Sequence, residues 1–298
     1  MRYALVFLLI GILLLGCVGG NQPKNGTTGI QLPPMPGIAQ ACTPAYTFSE
    51  PAAGVLSKTT EVVANAECAG GVTLTAKIDG VAVASAAIAT NDSQQVKLEV
   101  PATKDGVVKL TVDSGAEPLL SKDWTVKPLG SEDISGLDAD PVSFKEWRAM
   151  AMDVQNTITP SKVKIYMKRL EWKTQPATVI AVEIRKDDNG NPGDRVAGVE
   201  RPINITTLSN NWVSFDLGNP TLPPGRYWIT VKIKQTEDVS LVSDVLQIHN
   251  VPVSKQAPGN DYTREMKLSV DGKTGIATET QWRPLAYDKA YSVVLTTG

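Results

Sequence analysis

Apolar and polar residues alternate along most of this chain, and the period is two. Val72-Thr73-Leu74-Thr75-Ala76-Lys77-Ile78 sets Val, Leu, Ala and Ile on one side, the signature of a half-buried strand. The same pattern runs through Thr60 to Ala66, Gln95 to Val100, Val107 to Val112 and Leu119 to Val126. Asp79-Gly80 separates two such runs, and glycine accepts the positive φ that a type I′ hairpin turn requires. Residues 42–128 therefore read as about seven short strands with no helix, spaced as in an Ig-like sandwich.

Beyond Ser131 the alternating runs lengthen and gain aromatics: Val163 to Leu170, Thr178 to Arg185, Trp212 to Leu217, Arg226 to Ile233, Glu265 to Val270, Ala277 to Trp282 and Tyr291 to Leu295. Phe144 to Met152 reads as a loop or edge leading into the first of these, with a helical turn as the alternative. Residues 131–298 fit a larger, jelly-roll-like sandwich. The expected fold class is all-β, two tandem β-sandwich domains.

The pattern fails at the start of the chain. After Arg2, an apolar run from Ala4 to Leu15 would cover about 18 Å as a helix, against the roughly 30 Å of a bilayer core. That length suits a signal peptide over residues 1–16 better than a membrane span. Residues 17–41 show neither strand nor helix period; their Gly and Asn give flexibility, and Pro33, Pro34 and Pro36 favour extension. They read as a disordered tether, the other reading being an ordered edge of the next domain.

Composition narrows the function. With 29 basic against 31 acidic residues the chain offers no basic footprint for nucleic acid, and 42% hydrophobic with 20% charged content is a folded composition. A single His excludes a His-built metal cage and argues against a His relay. No phosphate-binding loop, dinucleotide glycine pattern or zinc-protease helix is present. The chain is read as no enzyme. The competing reading, a glycan-active enzyme or accessory subunit, needs two convergent buried carboxylates in a cleft.

Leu14-Leu15-Gly16-Cys17 resembles the lipobox of prokaryotic lipoproteins, which implies cleavage before Cys17 and lipidation of its thiol. Val18-Gly19-Gly20 leans toward archaeal surface lipoproteins, although bacterial ones share it. With Cys17 so used, Cys42 and Cys68 remain, and in an exported domain they are expected to pair, two free thiols being the alternative. Farther on, Gln155 to Pro160 with Val163 to Met167, Val182 to Arg185 with Asp188 to Gly193, and Trp212 to Phe215 with Leu222 to Ile229 resemble the choice-of-anchor type R surface domains. More loosely they resemble jelly-roll carbohydrate-binding modules. The resemblance covers about half the chain and implies a fold and a surface location, with no shared activity.

Candidate sites are sparse. Asp187, Asp188, Asn189, Asn191 and Asp194 gather hard oxygen ligands, which allows a calcium loop; a solvated Asn-Gly and Pro-Gly turn is the alternative, because an EF-hand's sixth and twelfth positions hold Pro192 and Gly198. Trp172, Tyr262 and Trp282, near strand ends or loops, are candidates to stack on a ligand's sugar rings, whereas Trp212 and Trp228 are expected inside the sandwich. Asn25, Asn91 and Asn204 head N-glycosylation sequons. The expectation is a lipid-anchored, non-catalytic protein on the outer face of the plasma membrane. It would contact the membrane through lipid on Cys17 and a glycan or envelope protein through its loops.

Overall fold

The structure is a computed structural model of the 298-residue chain. It describes residues 42–298 except 116, 133, 135–138, 144–145, 170–177, 204–210, 235–245, 253–262, 268, 271–276, 279–280 and 285–288. The expected signal peptide over residues 1–16, Cys17, the expected tether over 17–41 and Asn25 lie outside the described residues, as do Trp172, Asn204 and Tyr262. The chain divides into Met1–Cys42 and a compact unit Thr43–Gly298; the strands belong to the second.

The first group of strands is β1 (Ala45–Phe48), β2 (Gly54–Val55), β3 (Thr59–Glu67), β4 (Thr73–Ile78), β5 (Val81–Ala87), β6 (Gln94–Pro101), β7 (Gly106–Asp113) and β8 (Pro118–Lys127). They form two sheets, ordered β1-β3-β6 and β2-β8-β7-β4-β5. This is the strand order of an Ig-like sandwich, with β2 running parallel to β8 where all other pairs are antiparallel. Alternation decides what goes inside. Val62, Ala64, Ala66, Val96, Leu98 and Val100 line one sheet and Leu74, Ala76, Leu110, Val112, Trp124 and Val126 the other, all buried. Asp79 (φ 49°) and Gly80 (φ 84°) make the two-residue turn between β4 and β5, as their identity demands.

The second group is β9 (Leu129–Gly130), β10 (Ala139–Val142), β11 (Glu146–Val154), β12 (Lys162–Arg169), β13 (Thr178–Asp188), β14 (Asn191–Ile203), β15 (Asn211–Asp216), β16 (Gly225–Ile233), β17 (Leu246–Pro252), β18 (Thr263–Lys267), β19 (Ser269–Val270), β20 (Ala277–Thr278), β21 (Trp282–Pro284), β22 (Lys289–Tyr291) and β23 (Val293–Thr296). One sheet runs β10-β17-β12-β23-β9, with β15 also on β12 and β22 on β17; the other is six-stranded, β14-β13-β16-β11-β18-β21. Val163, Ile165, Phe215, Val293 and Leu295 face Val182, Ile184, Ile229, Val231, Met150 and Met152 in a core continuous with that of the first sandwich. All described regular elements are strands, so the all-β expectation holds.

One segment differs from expectation. Glu146–Val154 is a central strand between β16 and β18 rather than a loop or edge. Its pattern misleads because both faces are covered: Met150, Met152 and Val154 on one side and Ala149 and Ala151 on the other are all buried. Such a strand loses the polar-apolar alternation that marks a strand with one wet face.

Candidate functional site

The outward face of the six-stranded sheet is built from the residues that alternate with its core positions. On β13, Glu183, Arg185 and Asp187 alternate with Val182 and Ile184; on β16, Arg226, Trp228, Thr230 and Lys232 alternate with Tyr227, Ile229 and Val231. β11 contributes Trp147, Ala149, Ala151 and Asp153. Register lays these side by side. Glu183, Thr230, Ala149, Arg264 and Pro284 form one cross-strand row. Trp147, Met266 and Trp282 form the next, and Arg185, Trp228 and Ala151 lie on the other side.

Ala149, Ala151 and Trp228, with Trp282 packed on them, make an apolar cluster separate from the main core. Small residues on β11 leave room over the sheet, and indole rings occupy it. Trp147 and Trp282 are part-buried, their centroids 6.5 Å apart at 53°. Lys232 Nζ lies 4.5 Å from the Trp147 ring centroid, and the Arg264 guanidinium carbon 5.2 Å from that of Trp228. Cations prefer the electron-rich ring faces, so these contacts fix both charges over aromatics.

Glu183 organises the charged end of this face. It is buried, yet Arg185 Nη2 lies at 2.8 Å, Lys232 Nζ at 2.9 Å and Arg195 Nη1 at 3.8 Å. Burial alone would raise its carboxyl pKa; the hydrogen bonds and charges of Lys232 and Arg185 outweigh that and hold it below the usual value. Arg264 donates Nε to the Gly190 carbonyl at 3.1 Å and Nη1 to that of Thr263 at 3.0 Å, and makes no ion pair with the described residues. Two fully buried polar atoms on this face have no hydrogen-bond partner among the described residues: Trp147 Nε1 and Thr230 Oγ1.

The other sequence candidates fall as follows. Trp282 joins the aromatic face just described. Asn189 (φ 53°) and Gly190 (φ 80°) form the hairpin turn between β13 and β14, while Pro192 and Gly193 lie inside β14. Asp187 spends its carboxylate locally: Oδ1 accepts the Trp228 indole N–H at 2.7 Å and Oδ2 the Gly190 N–H at 3.1 Å. Asp188 Oδ1 accepts from Asn189 Nδ2 at 2.9 Å; Asn191 donates to the Asn189 carbonyl at 3.5 Å, and Asp194 is exposed. No group of three or more His, Cys, Asp and Glu suited to a metal occurs among the described residues. Cys42 and Cys68 are both disulfide-bonded. Asn91 is exposed in the turn after β5, its Oδ1 accepting the Gly70 N–H at 2.8 Å.

Two expectations about aromatics are corrected. Trp228 is fully buried, but on the outward face of its sheet. Trp212 is also outward, part-buried and edge-on to Tyr166 at 5.6 Å, because Val213 and Phe215 take the core positions of β15. Sequence reading missed Thr230, Lys232, Glu183, Arg185 and Arg264. The Arg226-Trp228-Thr230-Lys232 alternation held the signal, since those four share one face.

Convergent carboxylates do occur inside the second sandwich. Glu146 Oε2 lies 3.1 Å from Arg148 Nη2 and Glu265 Oε2 3.4 Å from Arg148 Nη1, so both are engaged by one buried guanidinium. The Tyr291 hydroxyl donates to Asp140 Oδ2 at 3.1 Å nearby. This is an ion-pair network rather than a free acid and base.

Compared with known proteins, the chain matches no protein-family model and no curated protein. Among solved structures it is similar to a chain described as "Biofilm associated protein - BSP domain", at 15% identity and a TM-score of 0.19. The match covers 66% of this chain and spans 28% of that one.

Proposed function

We propose that this chain is a lipid-anchored, non-catalytic module on the outer face of the plasma membrane that binds a glycan or envelope partner through the outward face of its six-stranded sheet. The observation that carries this reading is the Trp147–Trp282 pair, part-buried on that face and flanked by Lys232 and Arg264. Aromatic faces pack on the apolar C–H patches of sugar rings, and charged neighbours orient the hydroxyls. A disulfide suits an exported protein. The lipobox supports the anchor at Cys17, the unpatterned residues 17–41 a tether, and the two sheet pairs two tandem domains, 42–128 and 131–298. In the enzyme reading an acid pair is needed, and the part-buried pair Glu146 and Glu265 is engaged by the buried Arg148 guanidinium.

The test is a glycan array with the full-length protein in detergent, run with and without a calcium chelator, beside Trp282→Ala. Saturable binding that Trp282→Ala weakens about tenfold supports the reading. Binding abolished by the chelator and unaffected by Trp282→Ala would transfer the site to the 187–194 turn. Release of the protein from membranes by Cys17→Ala checks the anchor.

A further inference from the structure

Thr230 sits in an interior strand of the six-stranded sheet and is 1% exposed, and its Oγ1 has no hydrogen-bond partner among the described residues. A buried orphan hydroxyl costs on the scale of a lost hydrogen bond, so natural chains rarely keep one without a use. Threonine is not needed there for shape, because valine has the same outline and no hydroxyl. Trp147 Nε1, one row away, is a second buried orphan, and an indole nitrogen can only donate.

The surroundings say what would satisfy both. A ligand must present an acceptor to Trp147 Nε1 and a hydroxyl or acceptor to Thr230 Oγ1, with apolar surface against indole rings on either side. A polyhydroxylated ring does this. The charge around the orphans is uneven: Lys232 and Arg185 are committed to Glu183 at salt-bridge distance, whereas Arg264 feels the Asp187 carboxylate but makes no salt bridge among the described residues. Its Nε and Nη1 donate to backbone carbonyls, which leaves the Nη2 edge to donate to a carboxylate of the ligand.

We infer that the face between Trp147 and Trp228 binds an acidic polysaccharide, with a uronic-acid carboxylate on Arg264 and ring hydroxyls on Thr230 Oγ1 and Trp147 Nε1. This rests on the binding reading above and gives it a ligand class. Because Thr230 is covered in the free protein, binding requires a side chain on this face to swing aside. Lys232, next on this face of β16 and 19% exposed, is the side chain that would move, leaving Glu183 and the Trp147 ring to do so.

The experiment measures binding of the full-length protein in detergent to polygalacturonate and to neutral dextran, with Thr230→Val and Arg264→Gln as variants and thermal unfolding in parallel. Wild type binds polygalacturonate saturably and dextran at least about tenfold more weakly. Thr230→Val keeps or raises Tm, as removal of an orphan hydroxyl should, yet weakens binding about tenfold. Arg264→Gln removes the preference for the acidic polymer. A Thr230→Val protein that gains stability and binds undiminished overturns the inference, since the hydroxyl would then be only a packing flaw. Equal binding of dextran, or an Arg264→Gln protein that keeps its preference, overturns the acidic class. Failure to bind either polymer overturns it too, while Trp282-dependent binding to another glycan on the array would leave the broader reading standing.

Discussion

Ser57 and Asn156, 99 positions apart, hold the two sandwiches together by a closed set of hydrogen bonds. Ser57 Oγ accepts the N–H of Gln155 at 2.7 Å, and its carbonyl accepts Asn156 N at 3.0 Å and Nδ2 at 3.1 Å. Asn156 Nδ2 reaches Thr59 Oγ1 as well, at 3.0 Å. Ser57 is fully buried and has φ 71°, an unusual value for a residue with a side chain. A second contact joins the same halves, where Asp105 Oδ1 accepts both the N–H and the hydroxyl of Thr297 at 2.6 Å.

Ser57→Ala should lower stability by about 1 kcal/mol, because the Gln155 N–H then loses its acceptor in a part-buried contact. Urea unfolding with a fitted midpoint checks it. Two separate transitions in the variant would show that this contact couples the two sandwiches.

Gly130→Ala should destabilise by about 1–3 kcal/mol from backbone strain alone, since φ at this position is 123°. A Cβ there would stand 2.1 Å from the Val293 carbonyl oxygen, so β9 would have to leave β23. Thermal unfolding gives the loss, and amide exchange at Val294 and Leu295 should rise.

Glu183→Gln should cost about 1–3 kcal/mol, because Lys232 and Arg185 lose a charged hydrogen-bond partner. The folded carboxyl titrates below the usual carboxylate range, because Lys232 and Arg185 outweigh the effect of burial. Its contribution is therefore present above that range and is lost as pH falls through the lower folded value. Wild type should lose stability in this acid window more steeply than Glu183→Gln, as unfolding midpoints at successive pH values would show.

Tyr291 is 1% exposed, and burial first, then the Asp140 charge, raises its phenol well above its ordinary range. The unfolded chain ionises near 10 while the folded one keeps the proton, so stability is full below that pH and falls above it. The slope is about 1.4 kcal/mol per pH unit. Absorbance titration should show one tyrosine ionising only as the protein unfolds, and Tyr291→Phe should remove that component.

Much of the fold was legible because strand formation is local. Thr73–Ile78 alternates apolar and polar residues, and Asp79-Gly80 has the one backbone shape that turns a tight hairpin. Asn189-Gly190 repeats that logic between β13 and β14. β11 was not legible, because a strand covered on both faces carries no alternation to read.

The candidate site was legible only at Trp282. Period two assigns residues to two faces without saying which face meets the other sheet, so it does not place Trp228 and Trp212 on the outward face. The chain by itself determined strand content, the I′ turns and the apolar inventory, all consequences of local sterics and hydrophobic spacing. Tertiary structure alone decided that Arg148 points into the core while Trp147 points out, and that Thr230, Ala149 and Arg264 share a row. Those relations come from pairing between strands far apart in sequence, where register and sheet packing, rather than any neighbouring residue, set what each side chain meets.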